Sequence, residues 1–84
     1  MPIEVKVFAT LIDLVGKRRL YVEKADTVKE LLDVLDEQYP GFKKQLEGGY
    51  TILVNGLNIE HLNGFETSLK DGDVVSIFPP AGGG

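Results

Sequence analysis

The sequence predicts an α+β fold, with a mixed sheet of four to five strands packed on one main helix. Three observations predict it. A single long stretch, 27–39, carries the spacing of an amphipathic helix. Short alternating apolar runs lie on both sides of it. And 84 residues are enough for one modest core and too few for two.

The first run, Ile3-Glu4-Val5-Lys6-Val7-Phe8, alternates and reads as a strand, with Val5 and Val7 toward the core and Glu4, Lys6 and Phe8 on the opposite face. Gly16-Lys17 marks a turn, and Arg18 to Glu23 reads as a second strand, so the two runs predict an N-terminal hairpin. Thr27-Val28-Lys29-Glu30 has the spacing of a capping box, in which the Thr27 hydroxyl accepts from the Glu30 amide and the Glu30 carboxylate reaches back. Val28, Leu31, Leu32, Leu35 and Tyr39 then fall on one helical stripe, which Pro40-Gly41 stops. Tyr50 to Val54 reads as a third strand. Asn55-Gly56 is a tight-turn signal because both positions tolerate positive φ. A short fourth strand covers Leu57 to Ile59, Lys70-Asp71-Gly72-Asp73 turns the chain again, and Val74 to Phe78 forms the last strand.

The order is therefore β-β-α-β-β-β. One helix covers only one face of such a sheet, so the sheet curls around it. The arrangement that satisfies this order is the β-grasp, in which the first and last strands run side by side in parallel at the sheet centre. That adjacency is an inference by fold analogy. The expected division is a β-grasp domain over 1–78 and an extended, flexible, Gly-rich tail over 79–84.

Composition removes several function classes. A hydrophobic fraction of 43% with 26% charged residues is ordinary for a globular protein. No apolar run is long enough to span a membrane and no basic, apolar leader opens the chain, so the expected setting is cytoplasmic, without membrane contact. There are no cysteines and only one histidine, His61, which is read as a polar loop residue; no metal is expected. The net charge of −4 makes nucleic acid a poor partner. Lys17-Arg18-Arg19 and Lys43-Lys44 are the only basic runs, and each reads as a solvated face or as a pairing site for an acidic partner.

The end of the chain, Ser76-Ile77-Phe78-Pro79-Pro80-Ala81-Gly82-Gly83-Gly84, carries the strongest functional signal. Three terminal glycines arise by chance in roughly three chains per ten thousand at average composition. Pro79 and Pro80 cannot continue a strand ladder and hold the chain extended. Ala81-Gly82-Gly83-Gly84 is narrow enough to thread a cleft in another protein, and six residues reach roughly 20 Å. Binding must repay the ordering of three glycines. The reactive group at the end is the Gly84 carboxylate, a poor electrophile until joined to AMP. No Cβ shields its acyl carbon. The chain has no phosphate-cradling loop, no cysteine and no nucleophile beside a base. It reads as a macromolecular substrate, not an enzyme, with no cofactor bound. An idle tail is the bland alternative. On the last strand, Val75 and Ile77 facing the helix leave Ser76 and Phe78 facing away, as Phe8 does. Phe8 and Phe78 are therefore a candidate partner-docking patch; a loop folded over one ring is the competing reading.

Taken together, these residues resemble the ubiquitin-like sulfur carriers, and most closely the small subunit of molybdopterin synthase. The resemblance covers essentially the whole chain. It rests on Val5-Lys6-Val7-Phe8-Ala9, Leu14-Val15-Gly16, Thr27 to Leu32, Val54-Asn55-Gly56, Leu69 to Val75, and above all Phe78-Pro79-Pro80 followed by four residues ending in Gly83-Gly84. It implies that a ubiquitin-activating-type adenylyltransferase uses ATP to adenylate Gly84 and that a sulfur donor converts the adenylate to a thiocarboxylate. A large synthase subunit then takes the tail, and the sulfur passes to a pterin precursor in molybdenum or tungsten cofactor biosynthesis. A protein modifier joined through Gly84 to lysines of target proteins uses the same tail. Two departures stand out: the family commonly has a bulkier residue at Ala81 and Ala or Ser at Gly82, and relatives often carry Arg or Lys where this chain has Ile12-Asp13.

Overall fold

A computed structural model describes residues 1–80; Ala81–Gly84 lie outside the described residues. Among the described residues the chain forms strand β1 (Ile3–Val7), helix α1 (Thr10–Val15), β2 (Arg19–Val22), helix α2 (Val28–Gln38), β3 (Thr51–Val54), β4 (Leu57–Asn58) and β5 (Val74–Phe78). Three single 3-10 turns occupy Lys44–Leu46, Ile59–His61 and Gly64–Glu66. The strands make one sheet in the order β2-β1-β5-β3-β4. β1 and β5 pair in parallel and the other neighbours are antiparallel. The adjacency of first and last strands expected by analogy is present, and the fold is the β-grasp.

Alternation decides the two faces. Ile3, Val5 and Val7 of β1, Ile52 and Val54 of β3, and Val75 and Ile77 of β5 are all buried under α2. The residues between them point the other way. α2 contributes Val28, Leu31, Leu32 and Leu35, each no more than 5% exposed. Burying a side chain of this size contributes about 1.5–3 kcal/mol, whereas an exposed i,i+4 ion pair such as Lys29–Asp33 adds little, because water and salt screen it. Packing therefore holds the helix, and the charges trim it. Its start is the expected cap: Thr27 is extended and its hydroxyl accepts from the Glu30 amide at 3.2 Å. Among the described residues, no return bond joins the Glu30 carboxylate to the Thr27 amide, so half of the box is built. Thr27 is instead tied by a bridge to Ser68, flanked by Val28 N–H to Thr67 at 3.1 Å and Leu69 N–H to Asp26 at 2.9 Å.

Two expectations need correction. The link between β1 and β2 is more than a turn, since α1 lies within it and buries Leu11 and Val15 at i, i+4. Six residues with one buried pair fall below the length at which helical spacing is distinctive. Gly16 ends this helix in the left-handed conformation (φ 84), its N–H bonding the Ile12 carbonyl at 2.7 Å. β4 is also shorter than expected. The Asn58 side chain accepts from the Glu60 amide at 2.8 Å, which turns Ile59 out of the strand and into the core at 1% exposure. The Asn55-Gly56 turn is as expected, with φ of 51 and 87.

Candidate docking surface at the tail root

β5 delivers Phe78 to the edge of the body, and Pro79 and Pro80 follow outside any strand. Their missing donors explain why the ladder stops there. Pro79 is half-buried and Pro80 exposed. A Cβ built on Gly49 would meet the Pro80 ring at 3.8 Å, in ordinary contact, so the chain leaves the sheet beside the approach to β3.

The expected outward pair is brought together at this point. Lys6 lies opposite Ser76 and Val7 opposite Ile77 in the parallel ladder, so one further step sets Phe8 beside Phe78. The rings stack with centroids 4.2 Å apart and planes 11° from parallel. On the other side Thr51 lies opposite Phe78. Both rings are half-buried and on the face away from α2, so no loop covers either of them completely. The rings shield part of each other and leave the remainder exposed where the chain passes from β5 to Pro79. Sequence alternation placed both rings on this face. It could not show that they touch, because contact depends on the β1–β5 register.

Two concavities flank the root. One, of about 280 Å³, lies on the β1–β2 side and is lined by Lys6, Val7, Phe8, Ile12, Arg18 and Arg19. The other, of about 290 Å³, opens on the helix side; Leu32, Leu46, Tyr50 and Phe65 supply its apolar lining, and Lys29, Lys43, Asp33 and Glu47 its charges. Tyr50 and Phe65 form its aromatic wall, with centroids 5.2 Å apart. Lys43 donates to Asp33, and that bond, aided by the charge of Lys29, holds the Asp33 carboxyl below the usual carboxylate range and raises Lys43. Neither concavity was expected from the sequence. The signal for the first was present, since alternation sets Lys6 on the same face as Phe8, but the approach of α1 and of Arg18 was not legible. The expected site residues Ala81, Gly82, Gly83 and Gly84 lie outside the described residues. His61 is exposed in a 3-10 turn.

Comparison with known proteins settles the kinship. The model of the ThiS family matches residues 5–84. The chain belongs to the ThiS family. Small archaeal modifier protein 3 of Haloferax volcanii is 39% identical over 92 residues, an alignment that covers 100% of both chains. Among solved structures, small archaeal modifier protein 1 of Methanosarcina acetivorans has a TM-score of 0.86 at 36% identity, covering 99% of this chain and 96% of its own. The BexX/CysO complex of Amycolatopsis orientalis supplies another match, with a TM-score of 0.86 at 26% identity over 98% of this chain and 99% of that one. The resemblance to ubiquitin-like sulfur carriers read from the sequence is thereby borne out at family level. The ThiS-family chain is a ubiquitin-like carrier or modifier in kind, with relatives named as modifiers and one found in complex with another protein. No helix among the described residues is long and apolar enough to cross a membrane.

Proposed function

We propose that this protein is a cytoplasmic sulfur carrier whose working group is the Gly84 carboxylate, carried on a tail of residues 79–84 by a body of residues 1–78. The observation that carries the reading is the Phe8–Phe78 stack at the foot of that tail. A partner that grips the tail meets these rings first, and a partly exposed aromatic pair is the kind of surface that supplies binding energy on desolvation.

The chemistry follows from the carboxylate. A Gly84 oxygen attacks the α-phosphorus of ATP on a ubiquitin-activating-type adenylyltransferase, and pyrophosphate leaves. Hydrosulfide-level sulfur from the donor then attacks the acyl carbon, AMP departs with one carboxylate oxygen, and the S–H proton is lost to solvent. The product is a terminal thiocarboxylate. The body supplies no catalytic group; it binds and aims. As the small subunit of molybdopterin synthase, the carrier inserts the charged tail into the large subunit, where the sulfur is transferred to a pterin precursor. Support for this destination is the Phe78-Pro79-Pro80 run with its terminal diglycine.

A second reading is favoured by the relatives named as modifier proteins. The same adenylate, attacked by a lysine amine of a target protein, gives an isopeptide and AMP. Deleting Gly83-Gly84 should abolish ATP-dependent adenylation by the cognate enzyme and leave the melting temperature unchanged. A truncated chain that retains its cellular role would leave the tail idle and the body as a simple binding domain. Recovery of Gly84 on lysines of many cellular proteins, with no thiocarboxylate, would favour the modifier.

A further inference from the structure

The concavity on the β1–β2 side of the aromatic stack has an unusual charge for this molecule. The chain is acidic overall, at −4, yet Lys6, Lys17, Arg18 and Arg19, four of its nine basic residues, are gathered at this corner. Lys6, Arg18 and Arg19 line the concavity, and its floor is Val7, Phe8 and Ile12. Arg19 is engaged by Glu4 at 3.5 Å, its Nε facing one carboxylate oxygen. Among the described residues Lys6 and Arg18 have no acidic partner. Asp13, on the neighbouring helix α1, is exposed and does not line the concavity.

Three cations around an apolar floor, of which only Arg19 is engaged by a carboxylate, leave positive charge for an outside group to neutralise. A carboxylate seated there is held by charge-assisted bonds, and the low-dielectric floor strengthens them. The concavity also shares Phe8 with the stack beneath the tail. Whatever covers the stack therefore borders the cations. We infer that this corner is an electrostatic docking site for an acidic segment of the adenylating partner, presenting a carboxylate to Lys6 and Arg18 and an apolar side chain to Phe8 and Ile12. The inference rests on the proposed adenylation of Gly84 and adds the element that orients the carrier. A patch of opposite sign to the rest of an acidic surface turns one face toward the partner before contact, which acts mainly on association rate.

The test is steady-state ATP–pyrophosphate exchange by the cognate adenylating enzyme, with the carrier as varied substrate, at low and high ionic strength. Lys6→Glu combined with Arg18→Glu should raise KM for the carrier about tenfold or more at low salt. kcat at saturation should be unchanged, and most of the salt dependence of kcat/KM should disappear. Lys44→Glu combined with Lys70→Glu alters net charge equally at other exposed positions and should change KM less than twofold. The neutral pair Lys6→Gln, Arg18→Gln should fall between, and circular dichroism should show all variants folded. A KM that moves equally in both charge-reversed proteins, or in neither, would overturn the docking site while leaving adenylation intact. A wild-type chain that supports no exchange with an enzyme active on another carrier would overturn the adenylation reading, and this inference with it.

Discussion

Two phenylalanines sit in very different surroundings. Phe42 is fully buried just beyond α2, where Pro40-Gly41 turns the chain back and its N–H bonds the Tyr39 carbonyl at 3.0 Å. Phe42→Ala should cost about 3–5 kcal/mol, a large share of a small domain's stability, and thermal unfolding would register it at once. Phe78 is half-buried and stacked on Phe8. Phe78→Ser gives up a stack worth about 0.5–1.5 kcal/mol beyond the area of a half-buried ring, so the melting temperature should fall clearly less than in Phe42→Ala. Partner affinity should fall at least tenfold. A Phe78→Ser protein that loses stability on the scale of Phe42→Ala would make the ring structural and remove the docking patch. The placement of Phe8 and Phe78 on the face away from α2 was legible in the sequence because a strand alternates every residue. Phe42 was not, for it sits in no periodic run, and the turn that buries it depends on where α2 points.

At the scale of elements, α2 was legible almost to the residue, since cap, stripe and stop all agree. Thr27→Ala should cost about 1 kcal/mol, measured by denaturant unfolding; no change would place the stabilisation in the Thr27–Ser68 bridge instead. Helix α1 was hidden because six residues offer little periodicity. Its entry is also unusual: Ala9 has φ 54 and ψ −130, with Leu11 N–H bonding the Phe8 carbonyl at 3.2 Å. Such a conformation costs a non-glycine residue on the order of 1–3 kcal/mol, and glycine's greater freedom when unfolded costs about 0.5–1 kcal/mol. Ala9→Gly should therefore raise the melting temperature; a fall would show the turn to be relaxed with alanine. The charge cluster beside α2 gives a pH dependence. The Asp33 carboxyl is lowered chiefly by its bond from Lys43, and Lys43 is raised by the same bond. The carboxylate's contribution is complete above its unfolded pKa and is lost as pH falls through the lower folded value. The ammonium's is complete below its unfolded pKa and is lost as pH rises through the higher folded value. Asp33→Asn should therefore lower stability modestly across the neutral range and not at strongly acid pH. The difference should shrink in 1 M salt, because both groups are exposed. A difference that persists at acid pH would assign the loss to something other than the ion pair.

At the scale of the whole molecule, the order β2-β1-β5-β3-β4 converts a sequence ending into a location. Parallel pairing of β1 with β5 puts the end of the first strand beside the end of the last. Phe8 thus lies beside Phe78 at the point where Pro79 begins, and the cations of the β1–β2 corner lie on one side of it. The family relationship was legible because Asn55-Gly56, Lys70 to Val75 and Phe78-Pro79-Pro80 are local signals that keep their meaning without the fold. The two concavities were not, because each is assembled from segments distant in sequence: β1, α1 and β2 for one; α2, the stretch 43–50 before β3 and the Gly64–Glu66 turn for the other. The central claim is that the body carries a reactive terminus, and the absence of cysteine makes it directly measurable. The protein is incubated with ATP, its cognate activating enzyme and a sulfur source, treated with a thiol-alkylating reagent and digested with trypsin, and the peptide from Asp71 to Gly84 is weighed. Using this peptide avoids Met1, whose oxidation mimics an oxygen-to-sulfur change in the intact mass. An alkylated peptide should form only with ATP, since a terminal thiocarboxylate is the only thiol-like group the peptide can hold. An unlabelled peptide, from an enzyme shown to act on a known carrier, would contradict the claim.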